Sequence, residues 1–250
     1  MSWFRRILQN KGREFTAPLM PDSPFWVVSD LHGCKDLLEK ALAYIPKEER
    51  KVFVGDYIDR GPDSAGVLKR LVDLQTKTPK TTICLKGNHE AMLLKFIGTD
   101  GQSGRRWLKF GGLETCQSFG VRNLETHPSL HTYEKIAKDL KSKMGLDLLA
   151  WIQDLPSIWS NGNIHVTHAG ADPSVPMSLQ SDESLLWGAE FFENRNRRDQ
   201  QWVIRGHKIV PKLTCKEGKI SIDLGSYKTS IIGLANIKHN SCYFKEISSR

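Results

Sequence analysis

Val52-Phe53-Val54-Gly55-Asp56-Tyr57-Ile58-Asp59-Arg60-Gly61 sets three apolar residues before a polar segment bracketed by glycines. A short apolar run that stops at a turn residue reads as a buried strand, here with its polar cargo at the C-terminal end. The arrangement recurs on both sides. Phe25 to Ser29 leads into Ser29-Asp30-Leu31-His32-Gly33, and Thr81 to Leu85 leads into Gly87-Asn88-His89-Glu90. Farther along, Ile164 to Thr167 precedes His168-Ala169-Gly170, and Trp202 to Arg205 precedes Gly206-His207-Lys208. Between the first three runs, residues 36–44, 64–75 and 90–97 carry apolar residues at helical spacing, the second started near Pro62 and Asp63. Strand–helix alternation predicts βαβ units and a largely parallel sheet, an α/β fold. Ligands of such sheets gather beyond the carboxyl ends of the strands, where these motifs fall.

The rhythm changes from about residue 98 to 157. Residues 105–119 and 133–151 read as helices with no strand between them, a helical cap insertion able to cover the strand ends. Afterwards 213–215, 220–223, 230–235 and 242–247 read as short antiparallel strands with glycine turns. The domain reading is an arm over residues 1–24 and one domain over 25–250 that carries the insertion.

A chain of 250 residues with 39% apolar content is long enough for one substantial core. Its net charge of +8 is spread over the arm, the middle and a late cluster (Arg195, Arg197, Arg198). No zinc-finger or aromatic RNA-binding motif accompanies it, so no nucleic-acid partner is expected. A basic surface still favours anionic substrates by steering. Cys34, Cys84, Cys116, Cys215 and Cys242 form no C-x-x-C pair, which speaks against thiolate zinc and for a reducing, cytoplasmic setting. No apolar stretch is long enough to span a bilayer. In the basic arm Trp3, Phe4, Ile7 and Leu8 share a helical face opposite arginines. A plain surface arm is expected, with a weak membrane-surface or partner contact as the other reading.

The polar motifs suit a two-metal site for phosphoester hydrolysis. Asp30 and His32, two residues apart at a strand end, can point the same way, and Gly33 lets the chain turn beside an ion. Asp56 is the carboxylate placed to reach both that pair and the third motif, so it is expected to bridge two ions roughly 3.5–4 Å apart. Asn88, His168 and His207 complete the second. Oxygen and imidazole ligands without thiolate suit manganese, the expected metal, and also iron, zinc or nickel. Two divalent cations against Asp30 and Asp56 leave a positive site, and the neutral Asn88 preserves it for a phosphate dianion. His89, held by Asp59, is the expected proton donor to the leaving oxygen, and Arg60 the phosphate clamp. The attacking group would be metal-bridging hydroxide, with no Ser or Cys nucleophile.

Together the motifs resemble the calcineurin-like metallophosphoesterase signature. Residues 55–61 with 87–90 look like its phosphoprotein phosphatase branch, being similar to bacterial and phage serine/threonine phosphatases over roughly Phe25 to Ile237. The resemblance implies a four-layer sandwich, two facing mixed sheets flanked by helices, and the ligand and acid roles just given. It implies hydrolysis of phosphomonoesters, foremost phosphoserine and phosphothreonine in proteins, with dinucleoside polyphosphates such as diadenosine tetraphosphate as the rival substrate. A catalytically silent phosphate-binding module is the non-enzyme rival. Two departures stand out. Relatives carry a phosphate-binding Arg soon after the Trp matching Trp187, where this chain has Gly188-Ala189-Glu190. Arg205 stands before Gly206-His207 where relatives often have His. Arg205, or else Arg195, is expected to supply the missing phosphate contact. Asp223 and Tyr227 are balanced between supporting the site and forming a turn, and Trp107 and Phe110 read as helix packing before groove lining. His127, His131, His165 and His239 read as structural or surface residues.

Overall fold

The computed structural model describes residues 14–99, 101–122 and 129–249. In chain order, β1 (Phe25–Val28), α1 (Lys35–Tyr44), β2 (Arg50–Phe53), α2 (Ser64–Lys77), β3 (Thr82–Cys84) and α3 (Asn88–Gly98) form the expected alternation. The insertion holds α4 (Gly104–Trp107), a π-helical turn over Leu108–Gly112, α5 (Leu113–Ser118), α6 (Leu130–Met144) and α7 (Leu146–Gln153). There follow β4 (Ile158–Asn161), β5 (Ile164–Thr167), α8 (Asp182–Trp187), β6 (Trp202–Arg205), β7 (Thr214–Lys216), β8 (Lys219–Ser221), α9 (Ser226–Thr229), β9 (Ile231–Lys238) and β10 (Ser241–Ser248).

These strands make two mixed sheets, ordered β10-β9-β1-β2-β3 and β4-β5-β6-β8-β7. Strand alternation explains how they stack. Phe25, Val27, Val52, Ala235 and Ile237 of the first sheet pack against Ile164, Val166, Trp202, Ile204 and Ile220 of the second, forming the core between the sheets. Their neighbours Trp26, Val28, Phe53 and Cys84 point the other way, into a core shared with α1, α2, α3 and the insertion. A smaller cluster of Leu185, Phe192 and Val203 covers the outer face of the second sheet. This is the helix-flanked, two-sheet sandwich that the motifs implied.

Four local features differ from the sequence reading. The helix expected over 133–151 breaks at Gly145, whose φ of 79° only glycine adopts easily, and the one over 105–119 is interrupted at Gly111 (φ 108°). β4 escaped notice, although Asn161-Gly162 is a hairpin signal and Asn161 pairs with Ile164 across that turn. β8 runs parallel to β6, a correction to the antiparallel expectation for the late strands. The tight β7–β8 hairpin turns through Glu217 and Gly218, both left-handed, and sets its second strand against β6.

Residues 14–24 run along the second sheet. Phe15 meets Trp202 edge-on at 5.1 Å, the Trp202 indole donates to the Ala17 carbonyl, and the Asn163 amide bonds both Met20 and Pro18. The apolar face of Trp3, Phe4, Ile7 and Leu8 lies outside the described residues, as does His127. Among the described residues no helix is long and apolar enough to cross a membrane.

Candidate active site

The loops after β1, β2 and β3 are tied by their main chains. Leu31 and His32 donate N–H bonds to the Asp56 carbonyl, and Gly33 donates to that of Tyr57. Glycine is obligatory at Gly206, where a Cβ would fall 1.8 Å from Asp30 Oδ1. His32, Asp56, Asp59, Arg60 and His207 all have φ between 43° and 73°. Left-handed backbone in non-glycine residues costs roughly 1–3 kcal/mol each and persists only where surroundings enforce it.

Glu90 supplies much of that enforcement. Fully buried, its carboxylate accepts from the N–H groups of Asp56 (2.9 Å), Tyr57 (2.8 Å) and Gly87 (2.9 Å). It thus caps α3 and holds Asp56 in its strained turn. Burial, then the facing Asp56 charge, pushes Glu90 up to about 7.

Asp56 belongs to two clusters of ligand atoms, one with His32 and His89, the other with His168 and His207. Its Oδ2 lies 3.5 Å from His32 Nε2 and its Oδ1 3.3 Å from His168 Nε2, so each oxygen faces one cluster. His32 Nδ1 donates to the Ile58 carbonyl (2.9 Å) and His168 Nδ1 to that of Val54 (3.1 Å). A carbonyl only accepts, so those nitrogens carry the protons and both Nε2 atoms are left facing Asp56. Asn88 Oδ1 is 2.8 Å from His168 Nε2 and 3.0 Å from His207 Nδ1. Acceptor atoms converging in this way fit a divalent cation in each cluster.

Asp30 stands beside the second cluster, its carboxylate accepting the His207 N–H at 3.0 and 3.2 Å. Burial, then the neighbouring Asp223, raises Asp30 well above the usual carboxylate range. Asp223 caps the Gly225 N–H at 2.7 Å, so the turn role and a place beside the site coincide. Burial favours neutral Asp56 as well, but His168, His89 and His32 together hold it well below the ordinary value. Burial lowers His32 to about 3 and, with His168 adding to it, His207 to about 4, which keeps both neutral and ligand-ready. His168 differs: burial opposes its charge, yet Asp56 prevails and raises it to about 9. Cation uptake then displaces a proton, so Mn2+ affinity is expected to fall as pH drops below about 9. Calorimetry in buffers of different ionisation enthalpy checks this; uptake without proton release near neutral pH would contradict it.

His89 Nδ1 lies 2.5 Å from Asp59 Oδ2, while its Nε2 sits 3.8 Å from Asp56 Oδ2. Burial disfavours its charged form, but Asp56 and Asp59 outweigh burial and raise its pKa. The residue expected as proton donor therefore also falls inside the first ligand cluster. Arg60 reaches His32 Nε2 with Nη1 (3.0 Å) and His89 Nε2 with Nη2 (3.1 Å), and its guanidinium lies 4.8 Å from the Tyr227 ring centre. Tyr227 also meets His32 edge-on at 5.2 Å, which puts it at the site.

Arg205 lines a cavity of about 400 Å³ with Trp187, Glu193, His207 and Lys208. Its outer nitrogens are taken, Nη1 by the Gly206 carbonyl and Nη2 by Glu193, and its guanidinium lies 5.5 Å from the Phe192 ring. Its third nitrogen, Nε, is buried and without a partner among the described residues, so a phosphate contact would have to displace Glu193 or the Gly206 carbonyl. Arg195 stacks on Phe191 at 3.8 Å and does not line that cavity. Sequence reasoning assigned no role to Glu90, although Gly87-x-x-Glu90 is a capping-box spacing, nor to Thr115, for which no motif exists. Trp107 and Thr115 both bond Asp59.

The comparisons agree with this geometry. Serine/threonine-protein phosphatase 2 of Escherichia coli (strain K12) is 29% identical over 228 residues, 85% of this chain and 92% of that protein. The symmetrical bis(5'-nucleosyl)-tetraphosphatase of Legionella pneumophila (strain Corby) is 42% identical over 184 residues, 70% of this chain and 55% of that protein. A solved serine/threonine phosphatase from Saccharomyces cerevisiae superposes with a TM-score of 0.62 at 17% identity, covering 92% of this chain and 81% of that one, and so shares the fold. The calcineurin-like phosphoesterase model matches residues 23–211, and with a ligand set centred on Asp56 the chain belongs to that family as a metal-dependent phosphoester hydrolase.

Proposed function

We propose that the protein hydrolyses phosphomonoesters, with phosphoserine and phosphothreonine in proteins as its substrate class. The observation that carries the hydrolytic reading is Asp56, whose two oxygens face separate histidine clusters beside a His89–Asp59 pair. His32 and Asp56, with Asp30, would hold one ion, and Asp56, Asn88, His168 and His207 the other, which leaves His89, although it stands within the first cluster, free to carry a proton. When bound, two divalent ions, manganese in this reading, supply Lewis acidity and a water of lowered pKa.

The chain's own residues do the rest. Arg60 spans His32 and His89 with its two outer nitrogens beside the Tyr227 ring, and in this reading it turns that planar fork from the histidines to two oxygens of an entering phosphate. Asp59 fixes the His89 ring through Nδ1, which leaves Nε2 as the atom that delivers a proton to the departing oxygen.

A protein substrate is favoured by the Escherichia coli relative, matched over nearly its whole length. The second reading, a dinucleoside polyphosphate hydrolase, draws on the higher identity to the Legionella relative over a shorter span. Five free thiols support a cytoplasmic setting, and the dispersed basic residues give no reason to add a nucleic-acid partner. A weak membrane-surface or partner contact through the basic N-terminal segment remains part of the proposal.

With Mn2+, the purified protein should hydrolyse p-nitrophenyl phosphate and lose that activity on chelation. A phosphoserine peptide should exceed diadenosine tetraphosphate in kcat/KM by about tenfold or more, the scale of one well-made site contact. The reverse order would assign the chain to the nucleotide hydrolases, and no turnover on any of the three would make it a silent binding module. His89→Asn should slow the peptide reaction by about a hundredfold, the usual contribution of a positioned acid. Unchanged turnover would remove His89 from the chemistry.

A further inference from the structure

We infer that Trp107 and Thr115, both from the helical insertion, are positioning residues that lock the Asp59 carboxylate against His89. Proton delivery to the leaving group thereby depends on the insertion. The inference rests on His89 acting as the proton donor in the reaction proposed above.

The bonds around Asp59 are complete and directional. Its Oδ2 takes His89 Nδ1 at 2.5 Å and the Trp107 indole N–H at 2.9 Å, and its Oδ1 takes the Thr115 hydroxyl at 2.7 Å. The Asp59 N–H in turn donates to Thr115 Oγ1 (2.9 Å) and Ser64 Oγ (3.1 Å). Asp59, Thr115 and Ser64 are fully buried, and Trp107 and His89 are 1% and 2% exposed. Water therefore cannot substitute for either donor. Thr115 grips the residue at both ends, accepting from the main chain and donating to the side chain, which supports the left-handed turn at Asp59 (φ 73°).

An indole N–H can only donate, so Trp107 favours the ionised carboxylate that His89 requires. The Trp107 ring has no room to drift. It packs on Phe96 of α3 at 4.9 Å, the same helix that carries His89, and a Cβ on Gly112 would lie 2.6 Å from it. Between the two donors the chain breaks at Gly111, whose carbonyl receives the Arg60 N–H at 3.1 Å. Three points of one segment thus hold Asp59 and Arg60 together. Packing alone would be served equally well by a phenylalanine ring, which has no N–H.

Leaving-group dependence separates positioning from mere structure. A p-nitrophenolate departs without much help, whereas a serine alkoxide needs its proton in the transition state. Trp107→Phe and Thr115→Val, each nearly isosteric, should lower kcat on a phosphoserine peptide by about 10–100-fold, the cost of a misplaced catalytic group. On p-nitrophenyl phosphate they should lower it by about threefold or less, with KM within about twofold on both substrates. Thr115→Ser, which keeps the hydroxyl, should restore the peptide rate, and thermal melts identify any variant that fails to fold. Equal losses on both substrates, or no loss on the peptide, overturn the inference. His89→Asn run alongside distinguishes the failures. If it is selective for the peptide and Trp107→Phe and Thr115→Val are not, only the positioning role falls; if His89→Asn is not selective either, the proton-donor reading falls and takes the positioning role with it.

Discussion

Replacing Asp56 by Asn should lower turnover on p-nitrophenyl phosphate by about a thousandfold or more, equivalent to roughly 4 kcal/mol in the barrier. The reason is geometric before it is electrostatic. Asp56 offers Oδ2 to the cluster with His32 and Oδ1 to the cluster with His168, at 3.5 and 3.3 Å. An amide can present an oxygen to only one of them, and its NH2 end would point donors at the other. The two ions would lose their shared ligand, and half of the negative charge that Asp30 and Asp56 bring would be gone. The variant should also hold fewer than two Mn2+ per chain after dialysis, since ligand loss is read directly in metal affinity. Its fold should survive, because the Glu90 bonds to the Asp56 main chain do not involve the substituted group. Activity within about tenfold of the parent, with two ions retained, would remove Asp56 as the bridge; the tenfold mark is about 1.4 kcal/mol.

The parts of this fold that were readable in the sequence are those governed by local pattern. Phe25–Val28 and Val52-Phe53-Val54 show as apolar runs because both faces of a central parallel strand are buried, one on the second sheet and one on helices, whereas the start of β2 at Arg50 and Lys51 carries no such signal. The ligand motifs were readable because each sits at a strand end with a glycine beside it, a combination that packing alone does not require. Edge elements were harder. β4 is only partly buried, so its apolar signal is weak, and the parallel placement of β8 depends on which side a hairpin folds, which no local pattern encodes. The expected phosphate role of Arg205 came from the missing Arg after Trp187 and the placement of Arg205 beside the Gly206-His207 motif. The structure commits that guanidinium to Glu193 and the Gly206 carbonyl, a pairing formed by residues twelve apart across a loop. Thr115 and Trp107 could not be found at all by motif, because they reach Asp59 from 56 and 48 residues away.

The same logic bears on strain. Asp56, Asp59 and Arg60 are all left-handed within one loop, and no glycine relieves them at those positions. Such a turn is stable only if neighbouring groups select it, and two separate braces do so. Thr115 and Trp107 hold Asp59, and Gly111 holds Arg60, from the insertion side; Glu90 holds Asp56 and Tyr57 from the α3 side. The helical insertion is therefore part of the site's framework and not only a cover over the strand ends.

Glu90 is where removing one brace should have the largest effect on folding. Glu90→Ala leaves three buried N–H groups, those of Asp56, Tyr57 and Gly87, without their acceptor. Each unsatisfied buried donor costs about 1–3 kcal/mol, so a loss of about 3–5 kcal/mol is expected once partial relaxation and water entry are allowed. That range is a large share of the stability of an ordinary domain. Glu90→Gln keeps one carbonyl oxygen but turns an NH2 group towards N–H donors, so it should fall between the parent and Glu90→Ala. Because the helix cap and the Asp56 turn are lost together, metal affinity should weaken in the same order as stability. Urea melts of the metal-free and Mn2+-loaded forms measure both, since any ion that binds only the folded state shifts the midpoint by its affinity. If Glu90→Ala melts within about 1 kcal/mol of the parent, less than the cost of a single unsatisfied donor, then water satisfies those N–H groups and the strained turn at Asp56 is held by the surrounding packing and not by this carboxylate.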